Sequence, residues 1–97
     1  MKTVQKIIEE TADVWGVNPV DVLSKTLGGQ PVREARNVCA FLLKGYLPPL
    51  KIAKLLGGRC RAYSNASATK VRARSLKDHE YYLKVLKVMD RAGLKKW

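Results

Sequence analysis

The chain has 97 residues, 46% of them hydrophobic, and carries 19 Lys and Arg against 8 Asp and Glu, a formal net charge of +11. That length supports one domain with one small core, and that hydrophobic share excludes disorder as the default state. With no run of 18 apolar residues and no signal-peptide pattern, a cytoplasmic protein that meets nucleic acid is expected rather than one that meets a membrane.

Val4, Ile7, Ile8, Ala12 and Trp15 recur at steps of three and four, which predicts a first amphipathic helix, with Thr3 as its cap and Gly16 as its end. "NPVDVLSK" then offers Asn18 as an N-cap and Pro19 at the first helical position of a short second helix. "TLGGQP", residues 26–31, reads as a loop. From near Val32 to about Gly45, Ala35, Val38, Cys39, Leu42 and Leu43 mark a third helix. Pro48 and Pro49 open a fourth of about two turns, "LKIAKLL", and Gly57 and Gly58 close it.

A fifth helix is expected from about Arg61 to Arg74. Ser75, three residues before Asp78, resembles a capping box that opens a sixth, with Tyr82, Leu83, Val85, Leu86 and Met89 inward. No strand pattern, internal repeat or low-complexity tract interrupts the series. The expected fold is a single all-α domain, 1–97, built as a bundle of six helices.

The charge is uneven. Residues 1–57 hold eight basic and five acidic side chains, whereas residues 58–97 hold eleven basic and three acidic. The excess falls on the second half, which begins at the turn between the fourth and fifth helices, and these two helices have the parts of a helix-turn-helix over about 49–74. Ile52 and Leu56 lie one turn apart to face the core, Ala53 is small enough for a helix to cross over it, and Gly57-Gly58 supplies the turn. Arg59, Arg61, Tyr63, Asn65 and Ser67 then lie near the start of the second helix, where the dipole is positive. Arg and Asn pair with base edges in two-pronged fashion, and Lys70, Arg72 and Arg74 follow as backbone-neutralising cations. The same residues also have plainer readings: Tyr63 packs, Asn65 is solvated, and Arg72 and Arg74 form a wet face.

Cys39 falls on an apolar face and Cys60 in the turn, with no CxxC or histidine cluster between them. The lone His79 has no such neighbour either and is expected on a helix surface. No metal and no cofactor are expected. Nor do paired carboxylates, a nucleophile–base pair or a phosphate-cradling loop assemble into an enzyme.

Nearly the whole chain resembles the C-terminal, origin-box-binding domain (domain IV) of the bacterial replication initiator DnaA, a Trp-repressor-like helix-turn-helix. "VQKIIEETADVWGVNPVDVLSK" resembles the family's opening helix and its "dLlSK" segment. "REARNVCAFLLKGYLPPLKIAKLLGGR" resembles the segment that ends in the family's "GGR". The family's "GGRDHTTV" signature reads "GGRCRAYS" here, and its arginine-rich minor-groove loop reads "TLGGQP". The resemblance therefore implies the docking orientation but not the DnaA box itself. It implies phosphate contacts by Arg36 and Asn37 and backbone contacts by Arg59 and Lys70. It places base reading at Arg61, Ala62 and Tyr63. Arg61 would favour a guanine, and Ala62 a thymine methyl.

The chain has no GxxxxGK[ST] and so none of DnaA's ATPase. It reads as a self-standing regulator of replication or transcription, in the setting of a phage or mobile element. Its expected partner is double-stranded DNA, in the nucleoid. A second copy of the chain or another protein remains open as a further partner. A sequence-independent architectural binder and an inhibitor module that occupies a protein surface are the competing expectations.

Overall fold

The computed structural model describes residues 2–23, 29–57 and 63–94, and the side chains of all of these except 2 and 63–65. Among them are six helices and no strand: α1 (Lys2–Trp15), α2 (Pro19–Leu23), α3 (Gln30–Leu43), α4 (Pro49–Leu55), α5 (Tyr63–Lys77) and α6 (His79–Arg91). Their extents are 30 × 27 × 23 Å.

α1 buries Ile7, Ile8, Ala12 and Trp15 along one stripe. Thr11 enters the same stripe because its hydroxyl donates to the Ile7 carbonyl, 2.6 Å away, and so is not buried without a partner. The helix starts at Lys2, which puts Thr3 inside the first turn rather than at a cap. It ends as expected at Gly16, whose φ of 68° is open to glycine without steric cost. Gly16 N–H donates to Asp13 and Val17 N–H to Ala12, the paired bonds that satisfy the last carbonyls of a helix. Gly93 closes α6 in the same way, through Asp90 and Met89.

α2 begins where the sequence places it, with Asn18 Oδ1 accepting from Val20 N–H at 2.9 Å. α3 is the axis of the bundle. It packs on α1, α2, α4 and α5 and buries Ala35, Arg36, Val38, Cys39, Ala40, Leu42 and Leu43. Each fully buried Val or Leu contributes about 1.5–3 kcal/mol, so this helix anchors the core. It starts at Gln30, two residues before the expected position, because Pro31 is well suited to the first turn. The burial of Cys39 raises its thiol pKa to about 12, against a smaller lowering by its hydrogen bond with Thr11.

The junction of α5 and α6 departs from expectation. α5 runs on through Ser75 to Lys77, and Asp78, not Ser75, is the N-cap of α6, its carboxylate accepting from Tyr81 N–H at 3.1 Å. Both residue types cap well, but an aspartate adds its charge to the dipole at the helix start. α6 accordingly buries Tyr81, Val85, Val88 and Met89, and leaves Leu83 49% exposed. The inward stripe thus includes Tyr81 and excludes Leu83.

Candidate nucleic-acid interface

α4 and α5 meet as the sequence requires of two crossing helices. Ile52, Ala53 and Leu56 are fully buried, and α4 packs on α5. Leu56 N–H closes the last turn of α4 on the Ile52 carbonyl at 3.0 Å. Gly57 follows with a φ of 101°, a conformation that only glycine adopts readily, so the reversal is written into that residue. Residues 58–62, which include Arg59, Cys60, Arg61 and Ala62, lie outside the described residues. Tyr63 and Asn65 stand on the first turn of α5 by its backbone.

Small side chains let α5 sit close to its neighbours. Its buried face is Ser67, Ala68 and Val71, with no residue larger than valine, and it packs against α3, α4 and α6. Steps of three and four then put Ala66, Thr69, Lys70, Ala73 and Lys77 on the opposite side, and all five are exposed. This outward strip has three short side chains and two lysines. Arg72 and Arg74 flank it on either side, and both are exposed.

Between residues 49 and 77 there are eight basic residues and no acidic one. Lys51 and Lys54 of α4 are exposed beside those of α5. The carboxylates stand on other elements, and several are engaged there. Glu10 and Asp13 hold Arg91 at 2.8 Å each, tying α6 to α1, and Glu9 accepts from Gln5 at 2.9 Å. The stretch 49–77 itself therefore adds only positive charge to the field over α4 and α5.

Several expected contact residues turn out to be internal. Arg36 is 1% exposed, and its guanidinium donates to the carbonyls of Val22 (3.1 Å) and Asp21 (2.7 Å). It caps the C-terminal end of α2, where unsatisfied carbonyls favour a cation, and it cannot reach a phosphate. Ser67 is also 1% exposed and donates to Asn37 Oδ1 at 3.1 Å, so it faces α3 and not a groove. Asn37 is half-buried and thereby joins α3 to α5.

Arg74 is likewise committed. It forms an ion pair with Glu34 of α3, lies 3.7 Å from Asp78, and stacks 4.8 Å from the centroid of Tyr81. Arg74 is exposed, as the wet-face reading has it, and its guanidinium also ties α5 to α3 and α6. Trp15 donates to Glu34 at 3.2 Å and meets Tyr81 edge-on at 5.8 Å, which completes a cluster drawn from α1, α3, α5 and α6. Burial, then the Glu34 charge, raises the Tyr81 pKa to about 12, with Arg74 opposing. Sequence reading missed this cluster, since its members are 15 to 81 in number and share no local pattern. Lys70 and Arg72 keep the exposure expected of them, and Arg72 lies over the Phe41 ring at 5.7 Å. His79 is exposed at the start of α6.

Among the described residues, no group of three His, Cys, Asp or Glu side chains is placed to hold a metal ion, and no helix is long and apolar enough to cross a membrane. No protein-family profile, curated protein or solved structure matches the chain.

Proposed function

We propose that the protein binds double-stranded DNA through α4 and α5, with α5 laid in the major groove, as a small regulator of replication or transcription related in design to the DNA-binding domain of DnaA. The observation that carries this reading is the acid-free stretch 49–77 together with the outward strip of α5. Short side chains at Ala66, Thr69 and Ala73 let the helix backbone approach a groove floor, while Lys70 and Lys77 accompany it with charge. Lys51, Lys54 and Arg72 stand beside it for phosphates. Base reading belongs to Arg61, Ala62, Tyr63 and Asn65 at the entry of the helix, and Arg59 contacts the backbone.

A second reading is favoured by a specific observation. Ala66 and Ala73 offer no hydrogen bond to a base, which suits a binder without sequence preference. Both readings predict strong salt dependence. With Lys51, Lys54, Lys70, Arg72 and Lys77 engaged, alone or with Arg59 and Arg61, log K falls against log salt with a slope of about −4.5 to −6. Fluorescence anisotropy of a labelled duplex over about 50–300 mM salt measures this. A slope near zero, or no binding at the lowest salt, overturns the DNA reading and favours a protein surface as the partner.

A further inference from the structure

A groove of about 650 Å³ opens beside α5, lined by Phe41 of α3, Arg72, Ser75 and Leu76 of α5, and Tyr82 of α6. That volume lies within the range of small-molecule sites, and its make-up is of the same kind: an apolar lining with a few convergent polar groups. Three features specify the chemistry. Phe41, Tyr82 and Leu76 give it aromatic and aliphatic walls, and Leu76 is 89% exposed, so an occupant would cover a side chain that water now surrounds. Ser75 is on the lining, and its hydroxyl oxygen is buried with no hydrogen-bond partner, an unmet polar group beside the groove. Arg72 is the charged member, lying over Phe41, and no carboxylate lines the groove among the described residues. The nearby acids Glu34 and Asp78 are both directed to Arg74.

We infer that this groove is a binding site for a small planar aromatic anion, its ring between Phe41, Leu76 and Tyr82, its carboxylate on Arg72 and the Ser75 hydroxyl. A guanidinium offers a carboxylate two parallel donors, and the face of Phe41 already holds that guanidinium in place. An adjoining groove of about 500 Å³ shares Phe41 but is lined otherwise by Leu42, Gly45, Tyr46, Met89, Gly93 and Leu94, with no charged side chain among the described residues. It serves as the internal comparison. The inference does not depend on the DNA reading, because occupancy is measured directly.

The test is a titration of ¹⁵N-labelled protein with 2-naphthoate and, separately, with the neutral 2-naphthamide, followed by amide shifts. Saturable shifts centred on Phe41, Arg72, Ser75, Leu76 and Tyr82 are expected, with a Kd for the acid of about 1 mM or below. The acid should bind about ten-fold more tightly than the amide. Arg72→Gln should abolish that preference, Ser75→Ala should weaken the acid by about three- to ten-fold, and Tyr46→Ala in the adjoining groove should change neither. Both Arg72 and Tyr46 are exposed, so these variants keep the fold. Equal affinity for acid and amide, shifts centred on Tyr46, Met89 and Leu94, or a response still linear at about 10 mM overturns the inference.

Discussion

Replacing Arg36 with methionine removes the guanidinium but keeps most of the aliphatic stem that fills the space between α2 and α3. Two hydrogen bonds from a charged donor are lost, to Val22 at 3.1 Å and Asp21 at 2.7 Å. Hydrogen bonds to charged groups are worth about 1.5–3 kcal/mol each, and part of that returns because methionine need not be stripped of water on folding. A net loss of about 2–4 kcal/mol follows, which for a domain of this size lowers Tm by about 10–25 °C. Thermal unfolding followed by circular dichroism at 222 nm measures it. Below its transition the variant should bind DNA with the parent's affinity and salt slope, since Arg36 is 1% exposed. A variant as stable as the parent but with a weaker, flatter salt response would refute this reasoning and return Arg36 to the phosphate contact that the family resemblance implies.

Other side chains separate binding from folding. Lys70→Ala and Lys77→Ala should each lower the magnitude of the salt slope by about one and leave Tm nearly unchanged. Arg74→Ala should do the reverse, since it breaks the tie to Glu34 and Asp78; a fall in slope without a fall in stability would contradict that placement. Asp78→Ala should cost about 1 kcal/mol in urea unfolding as the cap of α6 is lost, while Ser75→Ala, expected from sequence to be the capping change, should cost less. Alkali should destabilise the fold. Cys39 and Tyr81 are pushed from 9.0 and 10.0 up to about 12, so above pH 9 the unfolded chain releases protons that the folded one keeps. Stability should therefore fall as pH rises from about 9 to about 12, and Cys39→Ala should remove the lower part of that fall; a flat profile to pH 11 would contradict the burial of both groups.

The sequence was most readable where side-chain chemistry acts locally. The Asn18–Pro19 start of α2, the Gly16 stop of α1 and the apolar stripe of α3 needed only neighbours a few residues away. The buried face of α4, Ile52, Ala53 and Leu56, and the turn at Gly57 were legible for the same reason. α5 was harder because its two faces barely differ: Ser67, Ala68 and Val71 point inward while Ala66, Thr69 and Ala73 point outward. With small residues on both sides, periodicity cannot say that Ser67 is a strut to Asn37 rather than a groove contact. Nor does a basic letter disclose its surroundings. Arg36 and Arg74 look like surface cations in sequence, yet one caps α2 and the other is held by Glu34, a partner 40 residues away along the chain. Two cap-competent residues three apart, Ser75 and Asp78, put the expected start of α6 at Ser75, one turn before the Asp78 cap that accepts from Tyr81 N–H.

The central claim is that α5 reads or rides a DNA groove. The most direct measurement is selection of bound duplexes from a randomised pool at about 150 mM salt, run in parallel with Arg61→Ala and Lys70→Ala. The account predicts an enriched motif, degraded at one or two positions by Arg61→Ala and weakened evenly by Lys70→Ala. No enrichment from any pool, with retention equal for the parent and both variants, would contradict it.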